Sequence, residues 1–170
     1  MATNMFVQFS DITGECEERG HRGWCEITSL DQNFSNPTLP PPPGTTEIKG
    51  AKPCKHSEIK ITKLVDTASV QLMEACWKGR TVDTVVIECF RAGKGLDNKE
   101  LPIKYFSIEL ENVIIRELDY SVDEGDLVTE ELELVAGKAS YAYRQMDKEL
   151  GTAVLAKQED AKIGKTNLAD

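Results

Sequence analysis

Met5-Phe-Val-Gln-Phe-Ser-Asp-Ile-Thr-Gly14, followed after a charged turn by His21-Arg-Gly-Trp-Cys-Glu-Ile-Thr-Ser-Leu30, decides the fold class. Met5 to Phe9 is a short apolar run, the segment from Gly14 to Gly23 reads as a turn, and Trp24 to Leu30 is a second strand. In that second run Trp24, Glu26 and Thr28 fall on one face and Cys25, Ile27 and Ser29 on the other. A strand, a turn and a strand at the start point to a hairpin-like opening of a mainly β domain.

Working outward, the pattern stops at Asp31. The next two dozen residues hold Pro37, the run Pro40-Pro41-Pro42-Pro43, Gly44, Gly50 and Pro53. Proline removes ladder donors and favours extended polyproline geometry, so residues 31–55 read as a long extended loop. Four prolines in succession make it stiff, and an arm lying on a neighbour is the expected use.

Order resumes at His56-Ser-Glu-Ile-Lys-Ile-Thr-Lys63, where Ile59 and Ile61 alternate with Glu58, Lys60 and Thr62 as in a half-buried strand. Asp66 suits an N-cap. Val65, Ala68, Leu72, Met73, Cys76 and Trp77 follow at steps of three and four, and Gly79 closes the pattern. The spacing predicts one helix over about 66–78. Thr84 to Phe90, Ile103 to Tyr120, Leu127 to Ala136 and Ala139 to Gln145 read as further strands, with a turn signature over 92–98. Alternation in the long run breaks at Asn112-Val113, which predicts a bulge or bend. About seven strands and one helix fit a small β-barrel or two-sheet β-sandwich with a flanking helix. The domain is expected to occupy 1–151, followed by a polar, unpatterned and flexible tail over 152–170.

The chain has 170 residues, 40% hydrophobic and 29% charged, which suits one globular domain. No apolar run approaches the roughly 20 residues of a membrane span, so no membrane insertion is expected. Met1-Ala-Thr-Asn4 lacks a basic-then-apolar leader, so the expectation is folding in the cytoplasm and export by a route that reads none. The net charge is −9, and ten acids between Glu109 and Glu133 face one base, Arg116. That field repels phosphate and argues against nucleic acid; it reads as a solvated acidic face or a steering surface for a basic partner.

Reactive chemistry is sparse. Gly93-Lys94-Gly95 lacks the further glycine and lysine of a phosphate loop. Cys16, His21, Cys25, Cys54 and His56 are the candidate metal ligands, but their spacing is irregular for zinc, and His21 reads better as a turn residue making a local hydrogen bond. The five cysteines are odd in number and read as thiols, with Cys76 and Cys89 in the core. Asp123-Glu124 lies in an acidic turn with no expected apolar pocket, so these acids read as solvated. No catalytic, cofactor or metal site is expected.

From Met5 to Leu150 the chain resembles one family, the haemolysin-coregulated protein (Hcp), tube subunit of bacterial type VI secretion systems. Phe6 to Gly14 with Glu15 is similar to its first strand and Gly-Glu turn. His21 and Trp24 to Leu30 match its histidine and second strand. Lys55-His56-Ser57 with Ile59 and Ile61, then Leu72 to Cys76 before Gly79, resemble its strand-then-helix core. Leu101 to Val113, Leu127 to Val135 and Tyr141 to Arg144 resemble its later strands. The four-proline run departs from the family pattern.

The resemblance implies a hexameric ring with a wide channel, rings stacked into a tube, and sheath, spike and baseplate proteins as partners. It implies small effector proteins as lumenal cargo, with Asp31 facing the lumen. It implies that the extended loop, here with Asn36, Pro40, Pro41, Pro42, Pro43 and Gly44, reaches an adjacent subunit. The protein would leave the cell as part of the projectile. The alternatives are a phage-type tail tube protein of the same fold, a monomeric β-barrel binding module, and a thiol or zinc enzyme.

Overall fold

In a computed structural model, which describes residues 3–36, 38–50, 55–94, 100–144 and 158–163, strands dominate. In chain order they are β1 (Thr3–Phe9), β2 (Cys25–Ile27), β3 (Ser29–Asp31), β4 (Phe34–Ser35), β5 (Thr38–Leu39), β6 (Lys49–Gly50), β7 (Lys55–His56) and β8 (Ile59–Leu64). Helix α1 (Ser69–Lys78) precedes β9 (Thr81–Lys94), β10 (Glu100–Ser121), β11 (Thr129–Arg144) and β12 (Gln158–Ile163). The Asp97-Asn98 turn signature and the rest of the C-terminal tail lie outside the described residues.

One antiparallel sheet runs β2-β1-β9-β10-β11-β8-β3, with β12 on the free half of the β11 edge beyond β8. β2 and β3 are separated in the chain by Thr28 alone, yet stand at opposite ends of this order. Thr28 N–H donates to the Thr62 carbonyl on β8 at 2.7 Å. The sheet therefore curls back on itself into a nearly closed barrel, the mainly β architecture expected. The single run expected over Trp24 to Leu30 breaks at Thr28 because the chain crosses there from one end of the sheet to the other. Cys25 and Ile27, expected on one face with Ser29, are both buried, whereas Ser29 beyond the break is exposed.

The interior is filled by alternate residues of each strand, among them Val7, Ile61, Ile87, Leu110 and Leu132. Asn112 takes a positive φ of 54° where the alternation breaks, and the β10–β11 register shifts between Ile115 and Glu117. α1 lies against β10 through Ser69, Leu72 and Ala75. It starts three residues later than expected, but Asp66 still acts at its entry, where Oδ1 accepts the Ala68 N–H at 2.9 Å. Gly79, at φ 60°, ends it in the left-handed conformation. Trp77, expected on the packed face, is 85% exposed. The buried stripe is turned one residue from the one expected, leaving Val70, Met73 and Trp77 outside.

Two expectations of irregular chain are corrected. The Pro-rich arm is a paired ribbon: Phe34 and Ser35 of β4 pair with β7, and Thr38 and Leu39 of β5 pair with β6. The tail also contributes a strand, because Gln158–Ile163 aligns with Arg144 to Ala139. Backbone pairing along an open sheet edge does not require an apolar pattern, so a polar segment can take this place.

Candidate assembly surfaces

The arm is held at its base by a few polar and aromatic contacts. Tyr141 on β11 donates its hydroxyl to Gln32 Oε1 at 2.9 Å, and its ring meets Phe34 edge-on, centroids 5.8 Å apart. Asn33 N–H donates to Ser57 Oγ at 2.7 Å, and Ser57 N–H returns to the Asn33 carbonyl at 2.8 Å. At the tip, Thr45 N–H closes a turn on the Pro42 carbonyl at 3.1 Å, and Gly44 supplies a φ of 87°. Asn36, Pro40, Pro41, Pro42, Pro43 and Gly44 are all exposed. Leu39 and Ile48 on the ribbon are also exposed, a large apolar area for a monomer to leave uncovered.

Asp31 ends β3, exposed, in register with Lys60 of β8. Lys60 bonds to Glu133, which also receives Arg116 at 2.7 Å; Arg116 in turn pairs with Glu58. The Lys60 bond, then the Arg116 bond, holds the Glu133 carboxyl below the usual range, and the same contacts raise both bases. Glu111 pairs with Lys138 and Glu130 is buried. The acidic stretch is therefore not one solvated face. Part of it is locked into ion pairs on the barrel wall, while Glu117, Asp119, Asp123, Glu124 and Asp126 stay exposed toward one end.

At that end, beyond the β10–β11 turn, Leu64, Val122, Asp123, Asp126, Leu127 and Thr129 line an open depression of about 320 Å³. The acidic turn thus does have an apolar neighbour, contrary to expectation, because β8 brings Leu64 beneath it.

Two interior clusters escaped the sequence reading. Lys63 is fully buried, its Nζ 2.6 Å from Glu130 Oε1, 2.8 Å from Asp66 Oδ1 and 2.7 Å from the Leu64 carbonyl. Ser69 Oγ adds a bond to Glu130 Oε1 at 2.7 Å. Burial opposes the charge on Lys63, but the bonds to Asp66 and Glu130 outweigh it and its pKa is raised. A signal was available: Lys63 continues the inward alternation of Ile59 and Ile61, and Glu130 that of Leu132 and Leu134.

The second cluster centres on His21. Its ring stacks on Phe6 with centroids 4.3 Å apart and meets Trp24 and Phe90 edge-on. Local backbone bonds to Glu18 and Trp24 are present as expected, but the side chain reaches across the fold to Glu88 Oε2 at 3.0 Å. Lys104 donates to the other Glu88 oxygen at 2.7 Å. Burial pushes the Glu88 pKa upward, and the Lys104 and His21 bonds reverse this and hold it low. The metal candidates point to different partners: Cys16 Sγ faces Glu26 at 3.7 Å, His21 faces Glu88, and Cys25 lies beside Asp66. Cys54 and the His56 side chain lie outside what is described. Among the described residues no helix is long and apolar enough to cross a membrane.

The family model described as type VI secretion system effector, Hcp, matches residues 6–145. No curated protein matches the sequence. Among solved structures the fold is similar to one described as a type six secretion system protein, at 22% identity and TM-score 0.77, covering 96% of this chain and 93% of that one. It is similar to Hcp1 from Salmonella typhimurium at 17% identity and TM-score 0.72, covering 96% and 95%. It is also similar to a type VI secretion system effector from Yersinia pestis at 17% identity and TM-score 0.69, covering 94% and 98%. At these identities the structures speak for the fold, and the family match over most of the length speaks for descent: the chain belongs to the Hcp family of type VI secretion system effectors.

Proposed function

We propose that this protein is the building block of a type VI secretion inner tube. Six copies form a ring around an open channel, and rings stack into a tube that a contracting sheath drives outward with its spike from a baseplate. The subunit folds in the cytoplasm, is secreted as part of the projectile, and works without catalysis. Small effector proteins ride in the lumen, with Asp31 facing them. The family match over residues 6–145 carries this reading.

Physical features of the chain support it. A nearly closed barrel leaves short sheet edges, and ring neighbours satisfy such edges by extending the sheet. The arm projects the exposed apolar side chains Leu39 and Ile48, which a neighbouring subunit would cover. Negative-stain images of the purified protein test the reading: six-membered rings with an open centre are expected. Deleting Asn36 to Gly50 should leave the barrel folded and weaken the rings, and rings of undiminished stability would remove the arm from this account.

A further inference from the structure

Two strands share one side of β11. β8 pairs with Thr129 to Leu134, and β12 pairs with Ala139 to Arg144. Among the described residues, Val135 to Lys138 pair with neither. Without β12, the stretch from Val135 to Arg144 would be one continuous edge of unpaired backbone. Such an edge is a template for a strand of another molecule.

The cover is lightly held. β12 reads Gln158-Glu-Asp-Ala-Lys-Ile163, three of its six residues charged and without apolar alternation. Among the described residues it pairs with β11 alone, so one ladder seats it. β8 is seated differently, between β11 and β3, with Ile59, Ile61 and Lys63 in the interior. Antiparallel strands adjacent in sequence are ordinarily joined by about two to five residues. Residues 145–157 join β11 to β12, and the longer link adds to the entropic cost of seating the strand. A polar strand on a single ladder opens at lower free energy than the core strands do. Charge along an edge strand also discourages further pairing, so Glu159, Asp160 and Lys162 suit a strand that ends a sheet.

We propose that β12 is a displaceable guard. In the free subunit it occupies the β11 edge over Ala139 to Arg144 and holds back pairing of that edge with a strand of a second copy. Its release admits that pairing, so the tail sets the concentration at which copies associate. The inference rests on the ring reading for its setting, in which neighbours extend one another's sheets, and its test separates the two.

Two variants move the guard in opposite directions. Asp160→Pro with Ala161→Pro releases it: successive N–H groups point to opposite sides of a strand, so one of the two prolines removes a ladder donor. Ala142→Cys with Asp160→Cys, an in-register pair, tethers it once oxidised. Both are compared with the unchanged protein, with and without reductant, by light scattering across a concentration series and by negative-stain images. Circular dichroism checks the barrel and intact mass confirms the tether. A guard closed in more than about nine copies of ten weakens association by at least about tenfold. The released variant should therefore associate at a concentration at least about tenfold lower than the unchanged protein. The tethered variant should associate only at higher concentration until reductant is added. Equal association of the released and unchanged proteins, both as rings, would overturn the guard and leave the ring reading intact. Weaker association on release would make β12 part of the contact and also overturn the guard. If the released variant fails to fold, the tether decides: association unaffected by oxidation overturns the guard. Ringless association that release strengthens and the tether suppresses would support the guard and overturn the ring. Monomers in every variant at every concentration would overturn both.

Discussion

Lys63 Nζ lies 2.6 Å from Glu130 Oε1, and neither side chain has any exposed surface. The two residues belong to adjacent strands, with Asp66 and Ser69 closing the set from the entry to α1. The ion pair thus joins the barrel wall to its only helix among the described residues, at the end where the acidic turn lies.

Removing one member should be costly. Lys63→Met strands Glu130 and Asp66 in the interior, and a loss of about 3–5 kcal/mol in unfolding free energy is expected by denaturant titration. Adding Glu130→Leu to that variant should recover part of the loss, since an apolar pair can fill the space. Equal and additive losses for the two changes would show that the residues are not coupled. The pair also sets an alkaline limit. The folded pKa of Lys63 is raised, so its contribution is fully present below about pH 10.4 and fades as pH rises through the folded value.

Acid should act through a different residue. The folded pKa of Glu88 is lowered, so its contribution is present above about pH 4.3 and is lost as pH falls through the folded value. Thermal melts over pH 2 to 6 should show this decline, and Glu88→Gln should flatten it while lowering stability at neutral pH. An unchanged slope in Glu88→Gln would remove Glu88 from the acid response.

Gly14 tests the packing of the opening hairpin. A Cβ there would lie 2.3 Å from the Trp24 carbonyl oxygen and 2.6 Å from Cys25 Sγ. The obstacle is backbone that is itself hydrogen-bonded, since the Trp24 carbonyl accepts the Cys16 N–H at 3.0 Å. Gly14→Ala should cost about 1–3 kcal/mol or more by chemical denaturation. Unaltered stability would mean that the two segments pack less closely than described.

Tyr141 tests the arm. Tyr141→Phe removes one hydrogen bond, worth about 0.5–1.5 kcal/mol, and Tyr141→Ala also removes the aromatic contact with Phe34. Hydrogen exchange at the amides of Phe34, Ser35, Thr38 and Leu39 should quicken in that order while the core strands stay protected. Equal protection in all three proteins would place the anchor elsewhere.

These residues also indicate what the sequence could disclose. The barrel was legible because Ile59–Ile61, Phe106–Ile108–Leu110 and Leu132–Leu134 alternate cleanly, and because Asn112 interrupts its run where the backbone turns left-handed. The burial of Lys63 and Glu130 was written in the same alternation but masked by their charge. The arm's pairing was not legible, since two-residue strands paired across some ten to twenty residues leave no periodicity. Trp77 misled because a short helix packed along one narrow stripe does not bury every apolar side chain that its spacing aligns. The surfaces assigned to assembly have no sequence signature of their own. The Asp31 assignment comes from resemblance, the arm was suggested by its proline run alone, and the depression exists only once Leu64 and the acidic turn are brought together.

The central claim is that this chain works as a ring, and the native mass of the purified protein tests it most directly. Native mass spectrometry at micromolar concentration should give six times the chain mass, with the hexamer weakening when Asn36 to Gly50 is removed. A monomer that persists as concentration rises would contradict the account.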